Sequence, residues 1–546
     1  MIKKFLNSQT RSISSASLIL GISYLISAVL GLLRDRLLAG TFGAGSQLDV
    51  YYAAFTVPDF IALILIIGAV GAAVIPIFSG YLIKDKNEAW KYVSTLLNVF
   101  LGFLIVVCII LIIFTPAIVS ITAPGFSGSK KDLAIELMRI MFLSPIILGA
   151  SNMISGILQV FNRFLVTALA PLLYNCGIII GIVFFVPMFG LRGLAYGVVC
   201  GGVMHLLIQL PSFMHSGFKW RPDFNFMDPG VLKTIKLMIP RSLGLGAGQL
   251  NTIATTAIAS TLISGSIAVF NLANNLSSIL VNAVAVSVST AAFPAMSMAF
   301  LKDDHEDFLR KFSGIFRQIF FLTIPISLLL LILRVQIVRV LYGVGKFGWS
   351  DTKLVTACLA VLAFNLVAQA LILFLSKTFY AAHNTKIPAI ISGVTVIFNI
   401  ILSLLFVWTV KISPAFNSFL IKALRIGGIN DAGVIGLALA YAITAILESS
   451  LLLYFFYKKF PKIKGKKEIL SSLYKIVIAS AVMFVVTFGV RQLMGSIISL
   501  QTFWGVFFQL ATSGCIGVMT YAISAHFLKS PETKTIADSL LKKFKK

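Results

Sequence analysis

Acidic residues are scarce in this chain: 19 Asp and Glu stand against 45 Lys and Arg in 546 residues, and charged residues together make up 12%. No stretch matches G-x-x-x-x-G-K-[ST], so the chain carries no nucleotide-driven engine of its own. No HExxH, CxxC or serine-nucleophile motif occurs, and His205, His215, His305, His383 and His526 are scattered. The loops expected to face outward hold few acids, which argues against a membrane glycosyltransferase or hydrolase built on paired carboxylates. An enzyme is therefore disfavoured, and no cofactor is expected. Cysteines number five (Cys108, Cys176, Cys200, Cys358, Cys515), all in apolar runs without paired spacing. They read as small core residues, which excludes a disulfide framework or a thiolate metal site.

What remains is apolar. Hydrophobic residues make up 58% of the chain, and its mean hydropathy is +0.98. Runs of about 20 residues, the length that crosses a bilayer as a helix, follow one another almost without a break. The short alternating strands of a transmembrane barrel are absent. The fold class is all-α, a polytopic membrane protein.

The net charge of +26 invites a nucleic-acid reading until its placement is examined. The larger share of the basic residues falls in alternate connections that include both termini. This is the positive-inside pattern, so both termini are expected in the cytoplasm and the number of spans is expected to be even. The basic excess then serves topology and attraction to anionic inner-leaflet lipids, and nucleic acid is not a partner. Lys3, Lys4 and Arg11 before an apolar stretch imitate a signal peptide, but the stretch is too long and lacks a cleavage site before Arg34. It is expected to be an uncleaved first span.

About fourteen spans are expected. Six lie near 14–39, 49–82, 92–118, 132–157, 165–187 and 193–214. Six more lie near 237–262, 267–299, 314–341, 353–376, 388–410 and 432–457, and two follow near 469–490 and 502–527. Pro58 and Pro76 inside the second predict a kinked helix. The halves echo each other: Gly190-Leu-Arg-Gly193-Leu-Ala195 opens span 6 and Gly433-Val-Ile-Gly436-Leu-Ala438 opens span 12. Asn162-Arg163 before span 5 is matched by Asn384-Thr385-Lys386 before span 11. The expected organisation is a six-helix lobe over 1–215, a second over 216–457, and two extra spans with a basic cytoplasmic tail over 458–546. Parallel repeats of this kind are a transporter arrangement with a site between the halves.

Charges inside the spans are the functional candidates, because an Arg or Asp at the centre of a spanning helix costs roughly 2.5–3.5 kcal/mol on insertion scales. Arg34, Asp35 and Arg36 close the first span. The two arginines point about 200° apart on a helix and cannot share a face. Either Arg34 faces an internal cavity, where it would meet an anionic lipid headgroup, or both arginines snorkel to the outer headgroups. Asp35 has either arginine, or a charge on another span, as its partner. Asp49 opens span 2, where a plain helix cap also explains it. Arg241, after Pro240, has the same two readings as Arg34. Glu136 and Arg139 are one turn apart and form a candidate self-neutralising pair. Glu448 has no obvious partner and is open to a cavity-facing or a shallow inner position. Gln249, Asn251, Asn274 and Asn275 are amides of the kind that also hold helices together in membranes.

The order of several motifs carries a family resemblance. Leu30-Gly31-Leu32-Leu33-Arg34-Asp35, Phe42-Gly43-Ala44-Gly45, Asp49, Ala54-Phe55, Val57-Pro58 and Pro76 resemble the first two spans of the MurJ (MviN) lipid II flippases. Thr122-Ala123-Pro124-Gly125-Phe126, Asn162-Arg163-Phe164, Ala170-Pro171, Gln209-Leu210-Pro211 and Gly345-Lys346-Phe347 continue the resemblance to the end of the chain. It implies a fold of the multidrug/oligosaccharidyl-lipid/polysaccharide exporter superfamily, with two lobes about a cationic cavity. It further implies a tail groove from the last two spans and a place in the bacterial inner membrane. The implied activity is movement of undecaprenyl-pyrophosphate-linked peptidoglycan precursor from the inner to the outer leaflet by alternating access, in peptidoglycan biosynthesis, cell wall biogenesis and the upkeep of cell shape. Cell-wall synthesis proteins are implied as partners beside the lipid-linked precursor and membrane lipids.

The resemblance puts the family's functional charges on Arg34, Asp35 and Asp49. Arg34 would bind the pyrophosphate, Gln249 and Asn275 would hydrogen-bond sugar or phosphate, and Asp35 and Asp49 would orient Arg34 or serve gating. The drive would be the membrane potential or an ion gradient. Several positions depart from the family pattern: Ala28, Ala62 and Leu63 stand where arginines are usual, Ile67 where an acid is, and Asn274-Asn275 where an Asp-Arg pair is. Fewer guanidiniums hold a pyrophosphate less tightly. Either Arg34, Arg241 or Arg139 carries more of the load, or the cargo is another polyprenol-linked glycan or small molecule. A transport-inactive scaffold is the remaining alternative.

Overall fold

The computed structural model describes residues 13–67, 73–429, 431–461 and 466–533, and it is helical throughout, with no strand among them. In chain order the helices are α1 (Ile13–Phe42), α2 (Ser46–Ile61), α3 (Ile75–Lys84), α4 (Lys86–Ile113), α5 (Thr115–Thr122), α6 (Gly128–Met141), α7 (Leu143–Val160), α8 (Phe164–Ile180), α9 (Val186–Phe189), α10 (Arg192–Leu207) and α11 (Leu210–His215). They continue as α12 (Pro229–Ser260), α13 (Ser266–Val281), α14 (Ser287–Leu301), α15 (His305–Tyr342), α16 (Trp349–Ala381), α17 (Lys386–Ile412), α18 (Pro414–Leu424), α19 (Gly433–Lys459), α20 (Lys466–Ile497) and α21 (Phe503–Phe527).

Twelve helical segments among the described residues are long and apolar enough to cross a membrane. The other two expected spans take different forms. The first runs through α2 past Pro58, loosens into π-helix over Ala62–Ile67, and resumes as α3, with residues 68–72 outside the description. A proline removes one backbone donor, and a π turn nearby is a common accommodation. The second is α12, a continuous helix of 32 residues. Helix starts follow local chemistry. Asp228 accepts from the amides of Gly230 and Val231 at 2.8 and 3.1 Å, with Pro229 at the first helical position. Asp304 and Thr502 cap α15 and α21 in the same way, each satisfying amides that the helix itself cannot.

The chain forms two compact units, Met1–Ala268 and Val269–Lys546. In the first, α8 and α10 are in backbone contact. A Cβ on Gly177 would stand 2.2 Å from the Gly201 Cα, and one on Gly181 2.5 Å from the Gly197 Cα. No other residue fits there, which is how small residues let membrane helices approach. Between α7 and α10 the buried Ser151, Ser155, His205 and Gln209 satisfy one another, with Ser151 Oγ 2.6 Å from His205 Nδ1 and Ser155 Oγ donating to Gln209 Oε1 at 2.6 Å. The basic loop after α11 is strapped to α4, since Asn98 Nδ2 donates to the carbonyls of Arg221 and Asp223 at 2.7 and 2.9 Å. Trp90 packs on Phe78, Phe161, Phe213 and Phe218 beneath that loop.

In the second unit α16 is the most enclosed span, packed against α15 and α19. Phe312 stacks on Phe456 at 4.1 Å and on Phe374 at 5.4 Å between ring centroids. Helices α20 and α21 pair and lie on α15. Tyr521 Oη donates to the Phe321 carbonyl at 2.8 Å, and Gln336 Nε2 to Gln509 Oε1 at 3.0 Å.

Candidate functional site

Arg34 is held against α8. Its Nε and one terminal nitrogen, Nη2, donate to Asp35 Oδ1 at 3.0 and 2.8 Å, and Nη1 donates to Asn175 Oδ1 at 3.2 Å. The Asp35 side chain is 2% exposed and that of Arg34 25%, so the acid is sealed in while Arg34 stays partly accessible. Asn175 is fixed in turn by donating to Ser27 Oγ and to the Pro171 carbonyl, both at 3.3 Å. Asp35 therefore takes Arg34 as its partner, and Arg36 is half-buried.

Around this pair stand groups that the first-span motif does not announce. Tyr51 and Asp59 on α2 and Tyr174 on α8 are close enough to Arg34 to interact with its charge. Tyr174 shares a hydrogen bond with Ser144 of α7. Gln249 of α12 donates from Nε2 to Asp59 Oδ2 at 3.2 Å, and Asp59 itself is exposed. Four helices of the first unit thus bring one guanidinium, two carboxylates, two amides and two phenols into a single polar cluster.

Asp49 makes a second arrangement. It lies in the first turn of α2 but caps another helix: its carboxylate accepts from the amides of Gly265 at 2.7 Å and Ala268 at 2.9 Å, at the start of α13. Lys130 Nζ reaches it at 3.4 Å and lies 4.1 Å over the Phe126 ring. Gly265 has φ +93°, and a Cβ there would stand 1.9 Å from the Ala44 carbonyl oxygen. The Gly125 amide donates to Ser260 Oγ at 3.0 Å. The Phe42–Gly45 turn, the Thr122–Phe126 turn and Asp49 therefore converge on the junction between α12 and α13.

Glu136 turns away from Arg139 and pairs with Arg192 Nε at 2.7 Å, while Arg139 Nε donates to the Ile112 carbonyl at 3.3 Å. A one-turn spacing permits a pair but does not compel it when an Arg on the neighbouring α10 offers better geometry. Glu448 accepts from Ser392 Oγ at 2.6 Å. No group of three His, Cys, Asp or Glu able to hold a metal ion occurs among the described residues.

A family model described as "Lipid II flippase MurJ" matches residues 38–511. A relative from Buchnera aphidicola subsp. Acyrthosiphon pisum (strain APS), named "Probable lipid II flippase MurJ", is 30% identical over 512 residues, covering 92% of this chain and 95% of the relative. This chain belongs to the lipid II flippase MurJ family. A MurJ relative from Burkholderia cenocepacia, "Lipid II flippase MurJ", is 29% identical over 68% of this chain and 74% of its own length. Among solved structures, "Lipid II flippase MurJ, inward closed conformation" superposes with a TM-score of 0.75 at 25% identity, over 93% of this chain and 98% of that one. An inward-facing multidrug-resistance transporter of the MATE family superposes at 0.64 with 16% identity, over 83% of this chain and 99% of that one, and shows the likeness of fold alone.

Set against the MurJ pattern expected from sequence, Arg34, Asp35 and Gln249 fall in or beside one cluster and Asp49 in the α12–α13 junction. Asn275 lies half-buried on α13 in the second unit. Arg241 lies on α12, and its side chain is outside the described residues. Asp59, Tyr174 and Asn175 were not anticipated. Asp59 directly follows Pro58 of the quoted motif, and its position next to a span proline was the one available signal. Asn175 had none, since a single amide in an apolar run is ordinarily helix glue.

Proposed function

We propose that this chain moves lipid II from the inner to the outer leaflet of the bacterial cytoplasmic membrane by alternating access, with Arg34 as the principal cation for the pyrophosphate. Membership of the MurJ family over nearly the whole chain is the observation that carries the activity. The geometry of Arg34 supports its role. A guanidinium has five N–H donors, and Arg34 uses three on Asp35 and Asn175. Two are left over by these bonds on a side chain that is 25% exposed, and the sealed Asp35 carboxylate fixes the fork's orientation. A fixed fork is suited to a phosphate, which it can bind bidentately.

The lobes that rock are 1–215 and 216–457, with 458–546 supplying the tail groove, and both termini are cytoplasmic. The Asp49 cap on α13 acts as a latch at the α12–α13 junction, made in one state and broken in the other. Gln249 and Asn275 hydrogen-bond sugar or phosphate, their amide N–H groups donating to phosphate oxygens. The drive is the membrane potential or an ion gradient, and cell-wall synthesis proteins supply and consume the cargo. Replacing Arg34 with Ala in a bacterium depleted of its own flippase tests the assignment. Loss of rescue at normal protein levels is expected, and full rescue overturns the role of Arg34. Another polyprenol-linked cargo on the same cluster would show itself as preferential binding over lipid II by the purified protein.

A further inference from the structure

The second unit holds a cavity of about 360 Å³ beside α20, one of the two helices assigned above to the tail groove, and the flippase reading gives the charged lining of this cavity no role. Four cations line it: Arg334 of α15, Lys353 of α16, Arg425 at the end of α18 and Arg491 of α20. No acidic side chain is among its lining residues, and none of the four cations has a carboxylate within ion-pair distance among the described residues. Their protein partners are backbone carbonyls: Arg491 Nη1 donates to Ile332 O at 2.9 Å, Arg334 Nη2 to Leu424 O at 3.4 Å, and Lys353 Nζ to Gly427 O. Arg334 stands close enough to both Arg425 and Arg491 to be repelled by them. Like charges gathered without a counter-charge are unfavourable unless an anion joins them.

Two further features shape the site. Arg425 sits at φ +57°, ψ +46°, in the left-handed region where glycine is at ease and a long side chain is not. Strain of this kind persists where surrounding structure holds it, and it gathers at ligand sites. Apart from Thr352 and Thr356, the remaining wall is apolar and aromatic. Trp349 opens α16, and Phe488 carries the Arg491 guanidinium 4.8 Å from its ring centroid. Along α20, Val477, Val482, Val485 and Phe488 are exposed at 54%, 42%, 69% and 41%. In a spanning helix such a column faces acyl chains, and tryptophan favours the depth of the headgroups.

We infer that this cavity binds the phosphate of an anionic membrane lipid, with Arg334, Lys353, Arg425 and Arg491 around the headgroup and the tail lying along α20. A cluster of cations beside an exposed apolar helix selects an amphiphile of that charge over a neutral one. The site belongs to the second unit and the Arg34 cluster to the first.

The test uses the full-length purified protein in neutral detergent, with phosphatidylglycerol, undecaprenyl phosphate, phosphatidylcholine and inorganic phosphate as probes. Both anionic lipids are expected to bind at least about tenfold more tightly than phosphatidylcholine. That preference is expected to fall severalfold in Arg425→Gly and to vanish in the Arg334→Gln/Arg491→Gln double variant. Arg425→Gly relieves the backbone strain while removing the charge, so its thermal midpoint should not drop; this keeps a loss of binding distinct from a loss of folding. A lead of undecaprenyl phosphate over phosphatidylglycerol identifies the polyprenyl lipid as occupant, and equal binding identifies the phosphate of any anionic lipid. Equal binding of phosphatidylcholine, competition by inorganic phosphate at lipid concentrations, or unchanged binding by folded variants overturns the inference.

Discussion

Arg34 spends three of its five N–H donors on Asp35 and Asn175, so its proposed role as the pyrophosphate cation rests on orientation as much as on charge. Lysine at this position retains the charge but not the fork. Arg34→Lys is therefore expected to fall well short of wild-type rescue in a flippase-depleted strain, close to Arg34→Ala; wild-type growth would show that charge alone suffices. Asp59 acts in the opposite sense, since it places an exposed carboxylate near that guanidinium. For two like charges about 10 Å apart at an effective dielectric near 20, removing one is worth about 1–2 kcal/mol, or roughly five- to thirtyfold in affinity. Asp59→Asn is expected to tighten lipid II binding by that order, read by titration of the purified protein. Weaker binding would mean that Asp59 holds the cargo or Gln249 in place. The pairing of Arg34 with Asp35 could be anticipated because the two are adjacent. The Gln249–Asp59 bond spans 190 residues, and no local pattern announces such a contact.

At the scale of elements the two halves use glycine alike. The Gly193 of the first echo would drive a Cβ to 2.4 Å from the carbonyl carbon of Phe185, and Gly436 of the second to 3.2 Å from that of Phe406. Each seats its helix on the backbone of the preceding span, which gives the sequence echo a physical cause. Gly197 faces Gly181 with 2.7 Å from a would-be Cβ to the opposing Cα, whereas Gly102 in α4 has nothing within 4 Å. Gly197→Leu is expected to cost at least about 1–3 kcal/mol by overpacking, and Gly102→Ala to be neutral or to gain up to about 1 kcal/mol from helix propensity. Thermal midpoints in detergent separate the two, and equal midpoints would contradict the packing account. Asp49→Asn keeps the shape of the cap on α13 but loses its charge toward the helix N-terminus and Lys130, and one of the two oxygens that accept from Gly265 and Ala268. The expected cost is about 1 kcal/mol, seen as a lowered midpoint and, on the latch reading, slower rescue. That Asp49 caps a helix other than its own was hidden from the sequence, because a helix-start acid reads first as a cap for the helix that carries it. Glu136 was misdirected for a related reason: spacing along one helix names a possible partner, while packing brought Arg192 closer.

For the whole molecule, hydropathy was the legible layer, since membrane-crossing length and apolar composition are local properties of the chain. Twelve of the expected spans are long apolar helices among the described residues, and the expected kinked span appears as α2, a π-helical stretch and α3. The basic connections predict both termini in the cytoplasm. Single cysteines placed in the 219–227 loop and in the 345–348 turn, on a background lacking the five native ones, should label from opposite sides of the membrane; labelling from one side would contradict the topology. The measurement closest to the central claim is translocation of fluorescent lipid II by the purified chain in proteoliposomes. Wild-type protein is expected to expose the labelled lipid to an external quencher under an imposed potential or ion gradient, with Arg34→Ala near protein-free vesicles. Translocation by Arg34→Ala at the wild-type rate would contradict the account.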